Sequence, residues 1–176
     1  QVENFKLHRS LRKTLNKFVQ MPNACIQIDT AFDQVIMQCA AFNRPGQKGT
    51  WILKDMVLAY QALHRAGFAH SVETWINGQL VGGLYCVSIG KAVFGESMFA
   101  LQSDASKIAL SALVAFAKQN GITWIDCQQN TGHLASLGAH EIAQDDFLSA
   151  VDSAVTQTAP VWEFLPLYWK NIISTP

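Results

Sequence analysis

Two residues near the middle of the chain, Asn77-Gly78, constrain its fold more than any others. They separate "AHSVETWI" from "QLVGGLYCVSI", two runs rich in β-branched and aromatic residues. An Asn-Gly link between such runs predicts a type I′ turn, in which both central residues take positive φ, and therefore a β-hairpin of fixed register. A further turn at Gly90-Lys91 leads into "AVFGESMFA" and extends the hairpin to an antiparallel meander.

Helical patterns flank this meander. Residues 4–19 read as an amphipathic helix, with Leu7, Leu11, Leu15 and Phe18 on one face and Arg9, Arg12, Lys13 and Lys17 on the other. "ACIQID" is a short strand, and Thr30 with Asp33 predicts a capping box for a helix through "AFDQVIMQCAAF". "NRPGQKGTW" is a loop, and "KDMVLAYQALHRA" is a helix stopped by Gly67. After the meander, Ser103 or Asp104 caps "ASKIALSALVAFAKQN", which ends at Gly121. A strand "ITWIDCQ", a short helix "HLASL" closed by Gly138, a last helix "DDFLSAVDSAV" and an aromatic tail follow. This order predicts an α+β fold, a mixed and mostly antiparallel sheet flanked by helices, as the GNAT-type acyltransferases have. The length of 176 residues fits one domain over 1–176.

Composition narrows the function. A hydrophobic fraction of 49% against 15% charged residues indicates a globular core rather than a disordered chain. Formal net charge is zero, so a surface for nucleic acid must be a local patch. Cys25, Cys39, Cys86 and Cys127 form no C-x-x-C pair and the histidines have no zinc-like spacing, which suggests free thiols in a reducing cytoplasm and no metal site. No apolar run reaches membrane-spanning length. The chain opens at Gln1 without Met, as a fragment or processed chain would.

Three stretches carry candidate chemistry. In "FGESMF", strand alternation puts Phe94, Glu96 and Met98 on one face, with Leu84 and Cys86 of the preceding strand able to line it. Glu96 there is either a solvated edge acid or a carboxylate that meets a donor or cation. In "WIDCQ", the same alternation puts Trp124, Asp126 and Gln128 together and turns Cys127 away. Polar groups at a strand's C-terminal end are a usual place for a ligand site; the plainer reading is that Asp126 caps a turn or pairs with a Lys. In "GQKGTW", Trp51 offers a face for a nucleobase, with Tyr60 a helix away, or packs in the core. The cations of the first helix form a solvated face that also suits a phosphate backbone. His133 and His140 lie near no Ser or Cys in a nucleophile setting.

Taken together, "QLVGGLYCVSIGKAVFGESMFALQSDASK", "WIDCQQNTGHLASLGAHEI" and "DDFL" resemble the leucyl/phenylalanyl-tRNA–protein transferases. "GTWI…AYQALHRAGFAHSVETW" and "HRSLRK" extend the resemblance over residues 5–150 or so. Some positions depart from the family's usual pattern. Ala100-Leu101 replaces Ser-Arg, Ala143-Gln144 replaces Pro-Arg, Cys86 replaces Gly, and the family's Trp- and Pro-rich N-terminal region is not in this chain.

The resemblance implies a GNAT-like bacterial enzyme that moves Leu or Phe from its aminoacyl-tRNA to the α-amino group of a protein beginning with Arg or Lys. That reaction tags the acceptor for N-end-rule degradation and needs no cofactor. Carried over, Gln128 contacts the reacting amine, Asp126 orients that amide, and Glu96 lines the acceptor and aminoacyl site. Leu84 and Met98 help form the apolar pocket for the Leu or Phe side chain, Trp51 stacks on the terminal adenosine, and the Arg9, Arg12, Lys13 and Lys17 helix faces the tRNA.

The chemistry is compatible with these roles. The ester is already activated, and an α-amino group of pKa ~7.7–8.0 is roughly one-tenth neutral at pH 7. Gln128 is no real base, but orienting the amine can supply several kcal/mol. An apolar pocket discriminates by only about 1–3 kcal/mol per methylene, and a Met in its wall adapts to both donors. Two rivals remain open. An acyl-CoA N-acetyltransferase would need a glycine-rich pyrophosphate loop where this chain has Gln102-Ser103-Asp104-Ala105-Ser106-Lys107. A truncated core would bind RNA or peptide without transfer.

Overall fold

The computed structural model describes residues 1–41 and 52–173. Strands β2 (Ala69–Ile76) and β3 (Gln79–Ile89) join through Asn77 at φ 53° and Gly78 at φ 73°, the two positive values that a type I′ turn demands. β1 (Ala24–Ile28) lies antiparallel to β2, and β4 (Ala92–Ala100) antiparallel to β3. A short β5 (Ile125–Asp126) pairs with β4 in parallel, giving a five-stranded sheet in the order β1-β2-β3-β4-β5. A parallel neighbour requires a crossover, which the helix α4 (Ala105–Asn120) provides.

Each face of the sheet is covered. On one face Leu11, Leu15 and Phe18 of α1 (Arg9–Gln20), Val72, Leu84 and Val93 of the sheet, and α4 form one cluster, closed by Trp169. On the other, α2 (Phe32–Ala41) and α3 (Lys54–Arg65) bring Phe32, Val35, Ile36 and Val57 onto Tyr85 and Phe99. Burying each Leu or Phe of this kind contributes about 1.5–3 kcal/mol. α4 is buried along nearly its whole length because the sheet covers one side and the C-terminal segment the other. At its start, a Cβ on Gly82 would stand 2.5 Å from the Ala105 Cβ, so only glycine lets α4 begin directly on β3. Beyond β5 lie α5 (Gly132–Ser136), α6 (Gln144–Val155), and after a 3-10 turn the short α7 (Lys170–Ile173).

The α+β class and mostly antiparallel mixed sheet are as expected from the sequence, whereas three local readings change. The first helix begins at Arg9, not residue 4, because Val2–Asn4 form a separate 3-10 turn and residues 5–8 run without helical pairing against the core. There the Val2 N–H donates to the Thr123 carbonyl and the Lys6 N–H to that of Leu137, both at 2.9 Å. Thr30 and Asp33 do not form a capping box. Instead the Ala31 N–H at the head of α2 donates to Glu73 Oε1 of β2 at 2.7 Å, and the Thr30 hydroxyl donates to the same carboxylate. The strand predicted over "ITWIDCQ" shrinks to two residues, which matters for the site.

Candidate active site

β4 does not alternate regularly. Its register with β3 runs Leu84↔Met98, Tyr85↔Ser97, then Cys86↔Gly95, so Glu96 is the extra residue of a β-bulge. The bulge resets the faces. Met98 stays with Leu84 on the α4 side, while Phe94, opposite Val87, falls on the α2/α3 side. Phe94, Glu96 and Met98 therefore do not share one face, as period-two reading required. Cys86 is fully buried in the α4-side cluster, where burial pushes its thiol pKa up, and it is not in the site wall.

Glu96 is half-buried and accepts a hydrogen bond from the Tyr60 hydroxyl of α3 at 2.8 Å. Tyr60 packs edge-on against Tyr85, with ring centroids 5.0 Å apart. Burial, and then the bond to Glu96, raise the Tyr60 pKa, so the phenol stays protonated and remains a donor to the carboxylate. Two of the sequence candidates, far apart in the chain, are thus one unit.

At the end of β5, Gln128 lies in the left-handed region at φ 59°, which costs a residue with a Cβ about 1–2 kcal/mol. The Asp126 side chain offsets this by accepting the Gln128 backbone N–H at Oδ1, 2.8 Å away, an Asx-type turn. The bond that the structure shows from Asp126 is to the backbone of Gln128. Because the strand ends at Asp126, alternation does not reach residue 128, and Cys127 and Gln128 line the same cavity. Burial, then the neighbouring Asp126, raise the Cys127 thiol pKa, which makes it a wall rather than a nucleophile.

That cavity, of about 660 Å³, opens between β4, α4 and the segment after β5. Leu84, Met98, Leu110 and Leu113 make it apolar, with Glu96 and Gln128 among its polar lining. His133 also borders it. Partial desolvation at the cavity rim, and then Lys107, lower its pKa, although the residue is exposed. The sequence reading missed Leu110 and Leu113. Their i, i+3 spacing on α4 was visible, but a helix apolar on every side gives no sign of which residues border a hole. A neighbouring cavity of about 810 Å³ shares Gln128 and is lined by Trp124, Asp126, Glu141, Asp146 and Phe147. The Trp124 ring meets Phe94 and Phe147 edge-on, at 6.2 and 5.6 Å.

Arg9, Lys13 and Lys17 are exposed along α1. Arg12 departs from this set: half-buried, it donates from Nη1 to the Ile173 carbonyl and ties the C-terminal segment to α1. Trp51 lies outside the described residues. At the start of α4, Asp104 bonds Lys107 Nζ at 2.8 Å and the Thr14 hydroxyl at 3.3 Å. The bond from Lys107 holds its carboxyl below the usual range. An anionic side chain thus sits where an acyl-CoA enzyme needs to receive pyrophosphate.

An apolar cavity with an amide and a carboxylate in its wall has groups that acyl transfer to an amine could use. The sequence profile described as "Leucyl/phenylalanyl-tRNA protein transferase" matches residues 1–152. A protein of that name from Polaromonas sp. strain JS666 is 60% identical over 172 residues, 98% of this chain and 68% of the relative. Its counterparts in Albidiferax ferrireducens and Leptothrix cholodnii are 56% and 52% identical, each again covered over 68% of its length. Among solved structures, an aminoglycoside N-acetyltransferase in complex with CoA overlaps 81% of this chain and 93% of its own, at a TM-score of 0.41 and 16% identity. So distant an overlap says nothing about substrate. The chain belongs to the leucyl/phenylalanyl-tRNA–protein transferase family.

Proposed function

We propose that this chain transfers Leu or Phe from aminoacyl-tRNA to the α-amino group of proteins beginning with Arg or Lys, in the bacterial cytoplasm, as an N-end-rule tag. Residues 1–176 act as one catalytic domain in this reading. The observation that carries it is a single cavity holding Leu84 of β3, Glu96 and Met98 of β4, and Gln128 after β5, three segments that the fold brings together.

The donor's apolar side chain enters between Leu84 and Met98. Its ester carbonyl then lies toward Gln128, whose amide oxygen aligns an N–H of the incoming amine. The amine nitrogen forms the new C–N bond, the C–O bond to the terminal ribose breaks, and the ribose oxygen takes up a proton as the ammonium proton leaves. Glu96, held by Tyr60, supplies negative charge where the amine approaches. The acidic and aromatic cavity that shares Gln128 supports an acceptor with a cationic first side chain. Exposed Arg9, Lys13 and Lys17 support contact with the tRNA backbone, a contribution that weakens with salt.

The test is transfer of labelled leucine from Leu-tRNA to an Arg-start peptide, with a Met-start peptide as control. Transfer to the first alone is expected. Salt-sensitive tRNA binding with no transfer, by this chain or by one extended to the full length of its relatives, would instead favour a binding core.

A further inference from the structure

Behind the donor cavity lies a second, smaller hollow of about 60 Å³, lined by Val2, Phe5, Val114 and Leu137. It is larger than one water needs, at roughly 10–15 Å³, and its lining is almost wholly apolar. Leu110, Ile125, Cys127 and Leu134 border both spaces and form the partition between them.

The partition is not uniformly rigid. Leu110 sits within the buried α4, and Ile125 is fixed in β5 by its register with Val93. Leu134 belongs to α5, a helix of only five residues. Its N–H donates to the Thr131 hydroxyl at 3.2 Å and its carbonyl accepts from the Leu137 and Ala139 N–H groups at 3.0 Å, so the backbone is held and the side chain alone is left to turn. Leu134 is half-buried, and its side chain has a hollow beside it to enter.

We infer that Leu134 determines donor specificity as the movable part of this wall. With leucine bound it stays forward and fills the donor cavity. With phenylalanine bound it rotates back into the hollow, and the larger ring takes its place. This deepens the proposed function, on whose donor assignment it rests: the place Leu134 takes between the two spaces sets the upper size of the donor side chain.

Val114→Ile adds one methylene to the hollow without touching the donor cavity. It is expected to leave leucine transfer within about twofold and to lower phenylalanine transfer about tenfold or more, the range one methylene commands in an apolar site. Leu134→Ala, which merges the two spaces, is expected to raise the Phe:Leu ratio and admit a tryptophan donor. Melting temperatures confirm that both variants fold. An unchanged Phe:Leu ratio in both folded variants, with leucine transfer intact, would overturn the movable wall and leave the activity standing. Calorimetric binding of leucyl- and phenylalanyl-adenosine analogues makes the same comparison without turnover. There, equal effects of Val114→Ile on both ligands would overturn it even in a chain that transfers neither.

Discussion

Glu73 and Glu96 are carboxylates of one sheet, and their surroundings could hardly differ more. Glu73 is 0% exposed and accepts from the Ala31 N–H, the Thr30 and Ser71 hydroxyls and the Trp75 indole N–H. Both its oxygens are engaged, and through them β2 caps α2. Glu96 stands on a bulge at a cavity edge, and among the described residues the Tyr60 hydroxyl is its hydrogen-bond donor. A buried acid surrounded by donors is part of the frame. One left with an acceptor lone pair facing an open cavity can hold a ligand.

The largest effects should come from testing that contrast directly. Glu73→Ala strands several buried donors and is expected to cost about 3–5 kcal/mol in urea unfolding, with transfer lost through instability. Glu96→Gln is expected to change stability by less than about 1 kcal/mol while lowering transfer tenfold or more. A folded Glu73→Gln protein that has lost transfer at full stability would break the contrast, as would unfolding caused by Glu96→Gln.

A smaller effect sharpens the role of Asp126. Since its Oδ1 accepts a backbone N–H, Asn can do the same, so Asp126→Asn should keep most of the transfer rate and Asp126→Ala should lose roughly tenfold or more. Equal losses in both would show that the negative charge itself matters, not the turn.

The smallest effects concern α1, where one face again divides between frame and ligand. Arg12→Ala should lower the melting temperature by releasing the Ile173 carbonyl. Lys17→Ala should leave it unchanged and reduce the salt slope of tRNA binding by about one. A loss of salt dependence on removing Arg12 in a fully stable protein would return it to the tRNA-facing set.

Local chemistry explains what was legible beforehand. Asn77-Gly78 determined a hairpin because few other residues take two positive φ values in succession, and the meander followed from it. The sequence also identified Glu96, Gln128, Leu84 and Met98 as candidates, by alternation and by family resemblance, and the fold brings these four to one cavity. What failed were readings that needed a period to persist: the faces of β4 across its bulge, the reach of β5 to Gln128, the first helix back to residue 4. Each ends where a register shift, a side-chain turn or a tertiary hydrogen bond outweighs a local preference worth only a fraction of a kcal/mol per residue.

The sequence by itself determined the order of elements, the apolar faces and the class of residues available for chemistry, because these depend on neighbours a few positions away. Only the tertiary structure decided that Glu73 caps a helix, that Tyr60 holds Glu96, that Asp126 serves the backbone of Gln128, and that a hollow lies behind Leu134. The Glu73 and Tyr60–Glu96 contacts reach across tens of residues, and the hollow depends on how a buried helix meets the sheet; the Asp126 turn is local, but no period along the chain announces it.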